Sequence, residues 1–445
     1  MAVTILVPVR VRAAVIYKPQ VGEDMDLFQN EHPFTTEGDI SSWAFWGKSI
    51  ADRDDTFSRL RSLAPVSWHR PMDESPAAFA GHTEKGFWAV TRAADINAVS
   101  QDHRVFSSEL GTIALQPIDR SVMGDRNMIL VDPPNHTKYR TLISSFFTPK
   151  GVALLQSKLE QRSKSIVENV VDVGEFDLVE KVSSRLPMQT VADLVGVPES
   201  LVPAFTKAGN DLIAVGSDQV PEGMTPMEFH MQAVMVLRDI ALDLVSHRRQ
   251  HPENDIATAL AQGRIDGAEL TETDIVGTIG LLASAGNDTT RHTTSWTVWN
   301  LWSNPDQLSW IQEDLEGRIN VSVDEFIRHA TVVNFFARTA TEDTQLAGVD
   351  ISAGDKVGLF YCSGNRDETL FRDPNRFDVC RPRENHVAFG GRGVHFCLGN
   401  VVAKAQLRTL FREILTRIPN LELRGEPETQ HSEQFNAVVR LPVST

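Results

Sequence analysis

A mainly α-helical fold with a small β-rich lobe is what this sequence predicts, and three observations carry the prediction. From Lys150 to Arg249 the chain reads as helix after helix, broken by Gly174, Pro187, Pro198 and the loop Gly216 to Pro226. Glycine stops a helix by its conformational freedom and proline by its missing N–H. Thr271 to Ser303 is the longest periodic run, about 50 Å if wholly helical at ~1.5 Å per residue. The strand-like segments are short by comparison: Pro65 to His69, Gly86 to Thr91, and Gly348 to Cys362. No internal repeat, low-complexity tract or linker divides the chain, so residues 25–445 read as one continuous domain behind a leader of residues 1–24.

Composition narrows the function before any motif is read. Lysine and arginine number 43 against 59 aspartates and glutamates, a net charge of −16 that argues against nucleic acid as the main partner. With 41% hydrophobic residues, a chain of 445 can bury a large core. Three cysteines without a paired framework indicate a reducing compartment, hence the cytoplasm. The stretch Thr4 to Tyr17 is apolar but carries Pro8, Arg10 and Arg12. It is too short and too charged to span a bilayer, so no membrane anchor is expected.

Pro65 to His69 and Gly86 to Thr91 are aromatic and β-branched with turn formers between them, which predicts an early β-hairpin. Asp95 to Gln101 reads as a helix, and Phe106 to Arg126 as a loop. Pro133 and Pro134 fix the start of the next helix, on which His136 and Arg140 are four apart and share a face. The loop Ser217 to Met224 joins two amphipathic helices, with Met227, Phe229, Met231 and Met235 close by; such residues are plain core more often than an adaptable apolar lining.

The long run opens on Thr271 and Asp274, a capping-box pair, and Pro305 lies just past its end. Ile275, Ile279, Leu282, Gly286 and Thr289 follow at spacings of four, three, four and three, which places them on one face. Ala285-Gly286-Asn287-Asp288-Thr289-Thr290, in the middle, is a poor sequence for a helix interior. Glycine costs about 1 kcal/mol there relative to alanine, and threonine and aspartate compete for backbone hydrogen bonds. The fault is either a kink for packing or a groove where small residues admit a ligand and polar ones handle protons. Further on, Glu325 and Arg328 make an i,i+3 pair that alone is weak evidence of anything beyond a surface contact. Gly348 to Val357 alternates like a hairpin and leads into a strand from Val357 to Cys362. Lys404, Arg408 and Arg412 recur every four residues near the end, a solvated stripe or a docking surface for an acidic carrier.

The chemistry concentrates in Phe389-Gly390-Gly391-Arg392-Gly393-Val394-His395-Phe396-Cys397-Leu398-Gly399, followed at once by a helix-forming run, Val401 to Leu415. A cysteine at a helix entrance meets the positive end of the helix dipole and unpaired N–H groups, both of which favour thiolate. Glycines around it let N–H groups turn toward the sulfur and let a flat ligand approach. This loop resembles the haem-binding signature of the cytochrome P450 family, and the resemblance extends from about Met25 to the C-terminus. One departure stands out: the family's phenylalanine seven places before the cysteine is here Gly390, with Phe389 one place earlier.

The resemblance implies the cytochrome P450 fold as a single haem-binding domain, with Cys397 as the axial ligand of the haem iron. It implies Asp288 and Thr289 as the acid–alcohol pair that handles protons. His136, Arg140, Arg338 and His395 would meet the haem propionates, and Ala285, Gly286, Phe389 and Gly399 would pack about the cofactor. Glu325 and Arg328 would form a buried pair completed by Arg376. Val332 takes the place of the proline usual between Arg328 and Arg338. Leu282, Val332, Val333, Asn334, Phe335 and Phe435 would line the substrate pocket, with Phe106 to Arg126 as a substrate-contacting loop and Ser217 to Met224 as a lid.

The function so implied is a haem-thiolate monooxygenase, with haem b, that inserts one atom of O2 into a lipophilic small molecule such as a steroid, terpenoid or alkyl chain. No Gly-x-Gly-x-x-Gly opening a nucleotide-binding unit is present, so electrons from NAD(P)H are expected to arrive through a separate ferredoxin and ferredoxin reductase. Two alternatives stay open: a peroxide-driven peroxygenase, and a non-catalytic haem sensor or ligand-binding protein.

Overall fold

The computed structural model describes residues 32–73, 85–110, 113–115, 127–213, 220–382 and 384–445. Pro33–Thr445 forms one unit by its internal contacts. The leader and its expected boundary after residue 24 lie outside the described residues, as do residues 111–112 and 116–126 of the first loop and 217–219 of the lid segment.

Helices dominate, as expected. The N-terminal half supplies α1 (Ile50–Leu63), α2 (Ala93–Gln101), α3 (Asn135–Ile143), α4 (Gln156–Glu168), α5 (Arg185–Val195), α6 (Val202–Ile213) and α7 (Pro226–Gln250). The C-terminal half supplies the 32-residue α8 (Glu272–Ser303), then α9 (Leu315–Ala330) and α10 (Asn400–Arg417). The expected capping box on α8 is present in full: Asp274 N–H donates to Thr271 Oγ1 at 3.2 Å, and Asp274 Oδ2 accepts from Thr271 N–H at 2.8 Å. One apolar core joins Leu186 and Val195 of α5, Phe205 of α6, Ile275, Ile279 and Ala283 of α8, Phe326 of α9 and Phe411 of α10. No helix among the described residues is long and apolar enough to cross a membrane.

The β-rich part is a five-stranded sheet built from β1 (Val66–His69), β2 (Phe87–Val90), β3 (Phe106–Ser107), β4 (Phe335–Ala340) and, beyond the small hairpin β5 (Thr344–Leu346) with β6 (Val349–Ile351), β7 (Lys356–Phe360). Its order is β1–β2–β7–β4–β3. The early hairpin pairs antiparallel in the register Val66 to Val90 and Trp68 to Trp88. The last strand ends two residues before the predicted Cys362, because Tyr361–Gly364 turns into a short helix. An aromatic cluster of Phe45, Trp46, Phe57, Phe87, Phe335 and Phe360 backs the sheet.

The basic stripe on α10 is not a free surface. Lys404 Nζ lies 2.5 Å from Asp324 Oδ1, Arg412 Nε 2.6 Å from Glu316 Oε1, and Arg408 Nη1 donates to Asn320 Oδ1 at 3.2 Å. All three partners belong to α9, so the stripe is a polar seam between two helices.

Candidate functional site

Phe389 to Gly399 leads directly into α10, with Gly399 as its N-cap. The Cys397 N–H donates to the Phe389 carbonyl at 3.0 Å, which ties the two ends of the loop together. Gly390 sits at φ 83° and Gly393 at φ 155°, backbone that side chains resist. A Cβ on Gly391 would run into the Ser100 hydroxyl and one on Gly393 into the Ser100 carbonyl, so the loop lies flush against the end of α2. Displaced by one place, Phe389 still packs onto α10: its ring centroid is 5.6 Å from Lys404 Nζ and 6.2 Å from the Phe396 ring.

The N–H groups expected around the sulfur are there, from Gly399 and Asn400, and the Arg140 charge helps them. Burial outweighs all three and pushes the Cys397 thiol up. Helix geometry alone therefore does not make a thiolate here. A coordinated metal cation does so outright.

Four residues from three elements converge beside this loop. α3 places His136 and Arg140 one turn apart, β4 carries Arg338, and the loop carries His395. The His136 and His395 ring centroids are 4.3 Å apart. Arg140 Nη2 donates to the Phe396 carbonyl at 2.8 Å, and Arg338 Nη1 to the Ala337 carbonyl at 2.7 Å. Burial, with the arginine charges behind it, lowers His136 to about 4 and His395 to about 2, so both imidazoles are neutral. His103, which sequence reasoning passed over, stands close enough to influence both. No local motif marks it, because the loop after α2 meets α3 only through the tertiary fold.

Whether these residues fit a haem can be tested on their buried polar atoms. Both ring nitrogens of His136, His395 Nε2 and His103 Nδ1 are buried with no hydrogen-bond partner among the described residues. Buried polar atoms normally have one, and each that lacks it needs an explanation. The neighbouring carboxylate, Asp132, is taken up by the Ser107 hydroxyl and the N–H of Ser108. What the cluster lacks is an anion with several acceptors, and a haem propionate is one. The residues fit the group.

α8 splits the face that the sequence drew as one. Ile275 and Ile279 are core, whereas Leu282, Gly286 and Thr289 are partly exposed and Ala285 is exposed. A Cβ on Gly286 would come within 2.5 Å of Val191 Cγ2, so the glycine lets α5 and α8 approach. Thr289 Oγ1 donates to the Ala285 carbonyl at 3.1 Å on the open side. Asp288 is buried on the flank, where its Oδ1 lies 2.9 Å from Arg291 Nη2 and accepts from Asn287 Nδ2 at 3.2 Å. Burial pushes its carboxyl up and Arg291 opposes this. Adjacent residues on a helix do not share a face, so the acid and the alcohol have different surroundings.

Glu325 and Arg328 meet through two hydrogen bonds of 2.7 Å, both side chains 2% exposed. The third member is Arg381, whose Nε lies 3.1 Å from Glu325 Oε2, and not Arg376. The Arg376 side chain is 60% exposed and 3.9 Å from Asp306; only its backbone carbonyl joins, accepting from Arg328 and Arg381. The extended segment after α9 divides in the same way. Val333 forms a bridge with Phe435, and both are partly exposed. Val332, Asn334 and Phe335 are buried and do not line an open pocket: the Asn334 amide donates to the Glu433 carbonyl at 2.9 Å, and the Phe335 ring packs on Phe360. On α7, Phe229 is buried while Met231 and Met235 face outward.

The chain is similar to known proteins of one family. The family model for cytochrome P450 matches residues 224–444. A steroid C26-monooxygenase of Rhodococcus jostii is 33% identical over 87% of this chain and 80% of its own length. A methyl-branched lipid omega-hydroxylase of Mycobacterium tuberculosis is 32% identical over 91% of this chain and 94% of its own. The structure of a Mycobacterium marinum cytochrome P450, CYP268A2, in complex with pseudoionone superposes with a TM-score of 0.89 at 38% identity, covering 93% of this chain and all of that one.

Proposed function

The chain belongs to the cytochrome P450 family, and on that premise we propose that this monooxygenase inserts one oxygen atom of O2 into a steroid or a methyl-branched lipid, with Cys397 as the thiolate ligand of haem b. The observation that carries the site is the set of unpartnered buried nitrogens on His136 and His395, standing with Arg140 and Arg338 beside the cysteine loop. The substrate class is supported by the relatives, whose names specify steroid and methyl-branched lipid oxidation.

When bound, the haem supplies the iron at which O2 is reduced and split, a cleavage that a thiolate ligand favours. Cys397 delivers that thiolate from the entrance of α10. Arg140 and Arg338 would hold the propionates through permanent charge and planar donor geometry, and His136 and His395 would add neutral donors. Thr289 can turn its hydroxyl proton from the Ala285 carbonyl toward the open side of α8. Asp288, whose Oδ1 is engaged by Arg291 and Asn287, gives up and regains a proton behind it through Oδ2. Ala285 and Leu282 keep the surrounding face apolar and exclude water. Electrons come from NAD(P)H through a separate ferredoxin and reductase, the arrangement the resemblance implies, in the cytoplasm.

The test supplies purified protein with a surrogate ferredoxin, its reductase, NAD(P)H and oxygen-18 gas, and offers a steroid bearing an alkyl side chain and a methyl-branched fatty acid. One labelled oxygen in the product is the expected result. Product from hydrogen peroxide alone, with no gain from ferredoxin, would replace this reading by a peroxygenase. Spectral binding of both lipids with no product from either supply would replace it by a ligand-binding protein. Thr289→Ala should leave that spectral binding unchanged and lower product per NAD(P)H by up to roughly a hundredfold, the smaller end of general acid–base effects. An unchanged ratio removes Thr289 from the mechanism.

A further inference from the structure

The polar contacts of Asp288 continue beyond the helix that carries it. The Asn287 amide nitrogen, which donates to Asp288 Oδ1 at 3.2 Å, also donates to Asn210 Oδ1 on α6. Asn287 is 1% exposed and its contact with Asp288 is made out of water, where such a bond is electrostatically strong; the contact with Asn210 is part-buried. The helices are close at this point: a Cβ on Gly209, beside Asn210, would lie 3.3 Å from the Ala283 carbonyl. Asn287 Oδ1 is buried without a hydrogen-bond partner among the described residues.

These contacts fix which way round the Asn287 amide stands. Its amino end faces two acceptors, Asn210 Oδ1 and Asp288 Oδ1. With Asn210 accepting from it, the amide nitrogen is anchored on α6 as well as on its own helix. Without Asn210 the amide keeps a single acceptor, Asp288 Oδ1, and is held from α8 alone. The Asp288 carboxyl and its amide donor are then free to swing together about the contact with Arg291, which carries Oδ2 out of its present direction.

We infer that Asn210 is a positioning residue for the proton carried by Asp288, acting through the Asn287 amide. The inference rests on the relay reading proposed above and adds that the acid is set from α6 as well as from α8. It predicts that a half-buried asparagine on another helix affects how electrons are used, without touching the haem or the substrate.

The experiment is a double-mutant cycle on the holoenzyme, with Asn210→Ala, Asp288→Asn and the pair together. Product per NAD(P)H and the solvent isotope effect on turnover are the readouts; the carbon monoxide spectrum and the ligand spin-state titration confirm an intact site. Asp288→Asn and Asn210→Ala should each lower the ratio, the latter by about threefold, within the range of couplings between contacting residues. In the D288N background, Asn210→Ala should add nothing. Asn210→Ser, which keeps a hydroxyl acceptor, should recover part of the loss and serves if the alanine variant folds poorly. No effect of Asn210→Ala, or the same fall in both backgrounds, overturns the inference and leaves the relay standing. No effect of Asp288→Asn overturns the relay, and the inference with it.

Discussion

Arg328 and Arg338 are both arginines buried to within a few per cent, but their surroundings differ. Arg328 spends all five of its N–H groups inside the chain: two on Glu325 and the others on the carbonyls of Asn365, Pro374 and Arg376. Arg381 completes the set by donating to the same glutamate and to the carbonyls of Arg372, Asp373 and Arg376. Arg338 donates to one carbonyl, that of its neighbour Ala337, and stands near His136 and His395, where both nitrogens of the first and Nε2 of the second have no hydrogen-bond partner among the described residues. A buried charge is tolerable only when its partners are in place. The closed cluster therefore serves the fold, and the open one is built for an anion that the chain does not itself supply.

The sharpest way to break this comparison is to unpair the closed cluster. Glu325→Ala leaves Arg328 and Arg381 buried without their anion and should cost about 3–5 kcal/mol in urea unfolding. Arg381→Ala should cost about 1–3 kcal/mol, as the loss of buried charged hydrogen bonds does, whereas the exposed Arg376→Ala should stay within about 0.5 kcal/mol. Equal losses at Arg376 and Arg381 would restore Arg376 as the third member.

In the open cluster the loss should appear in cofactor retention instead of folding. Arg338→Ala removes a charged donor worth about 1.5–3 kcal/mol, so transfer of haem to apomyoglobin should quicken roughly tenfold to a hundredfold. Haem release at the wild-type rate would mean that Arg338 does not face the propionates.

The smallest effect is one of pH. Burial holds His136 at about 4 in the fold, below the ordinary 6.5, so the folded chain refuses a proton that the unfolded chain accepts. Its contribution to the stability of the haem-free protein is full above pH 6.5 and is lost as the pH falls from 6.5 toward 4. His136→Gln should flatten that slope by about one proton at most, read from urea midpoints across this window. An unchanged slope would mean that His136 already has an anionic partner in the chain.

The two clusters also differ in what the sequence tells of them. The bounds of α8 were legible because a capping box and an apolar period are local properties, and the pairing of β1 with β2 likewise. Glu325 and Arg328 share one turn of helix, so their meeting was legible too. Arg381 was not, since 56 residues separate it from Glu325 and nothing local distinguishes it from the exposed Arg376. The same blindness explains Gly286, whose missing Cβ could face a ligand or another helix; only the position of Val191 decides. It explains the α10 stripe as well, because charges every four residues look alike whether water or α9 lies opposite. Sequence periodicity assigns a side chain to a face, and the neighbour across that face is a property of the fold.

The central claim is that the open cluster and the cysteine loop together hold a thiolate-ligated haem. It is tested most directly by the spectrum of the reduced protein with carbon monoxide, for the wild type and for each cysteine replaced by serine. The wild type, Cys362→Ser and Cys380→Ser should all show the red-shifted Soret band of a thiolate ligand, and Cys397→Ser should lose it. Persistence of that band in Cys397→Ser, or its loss in either of the other two variants, would contradict the account.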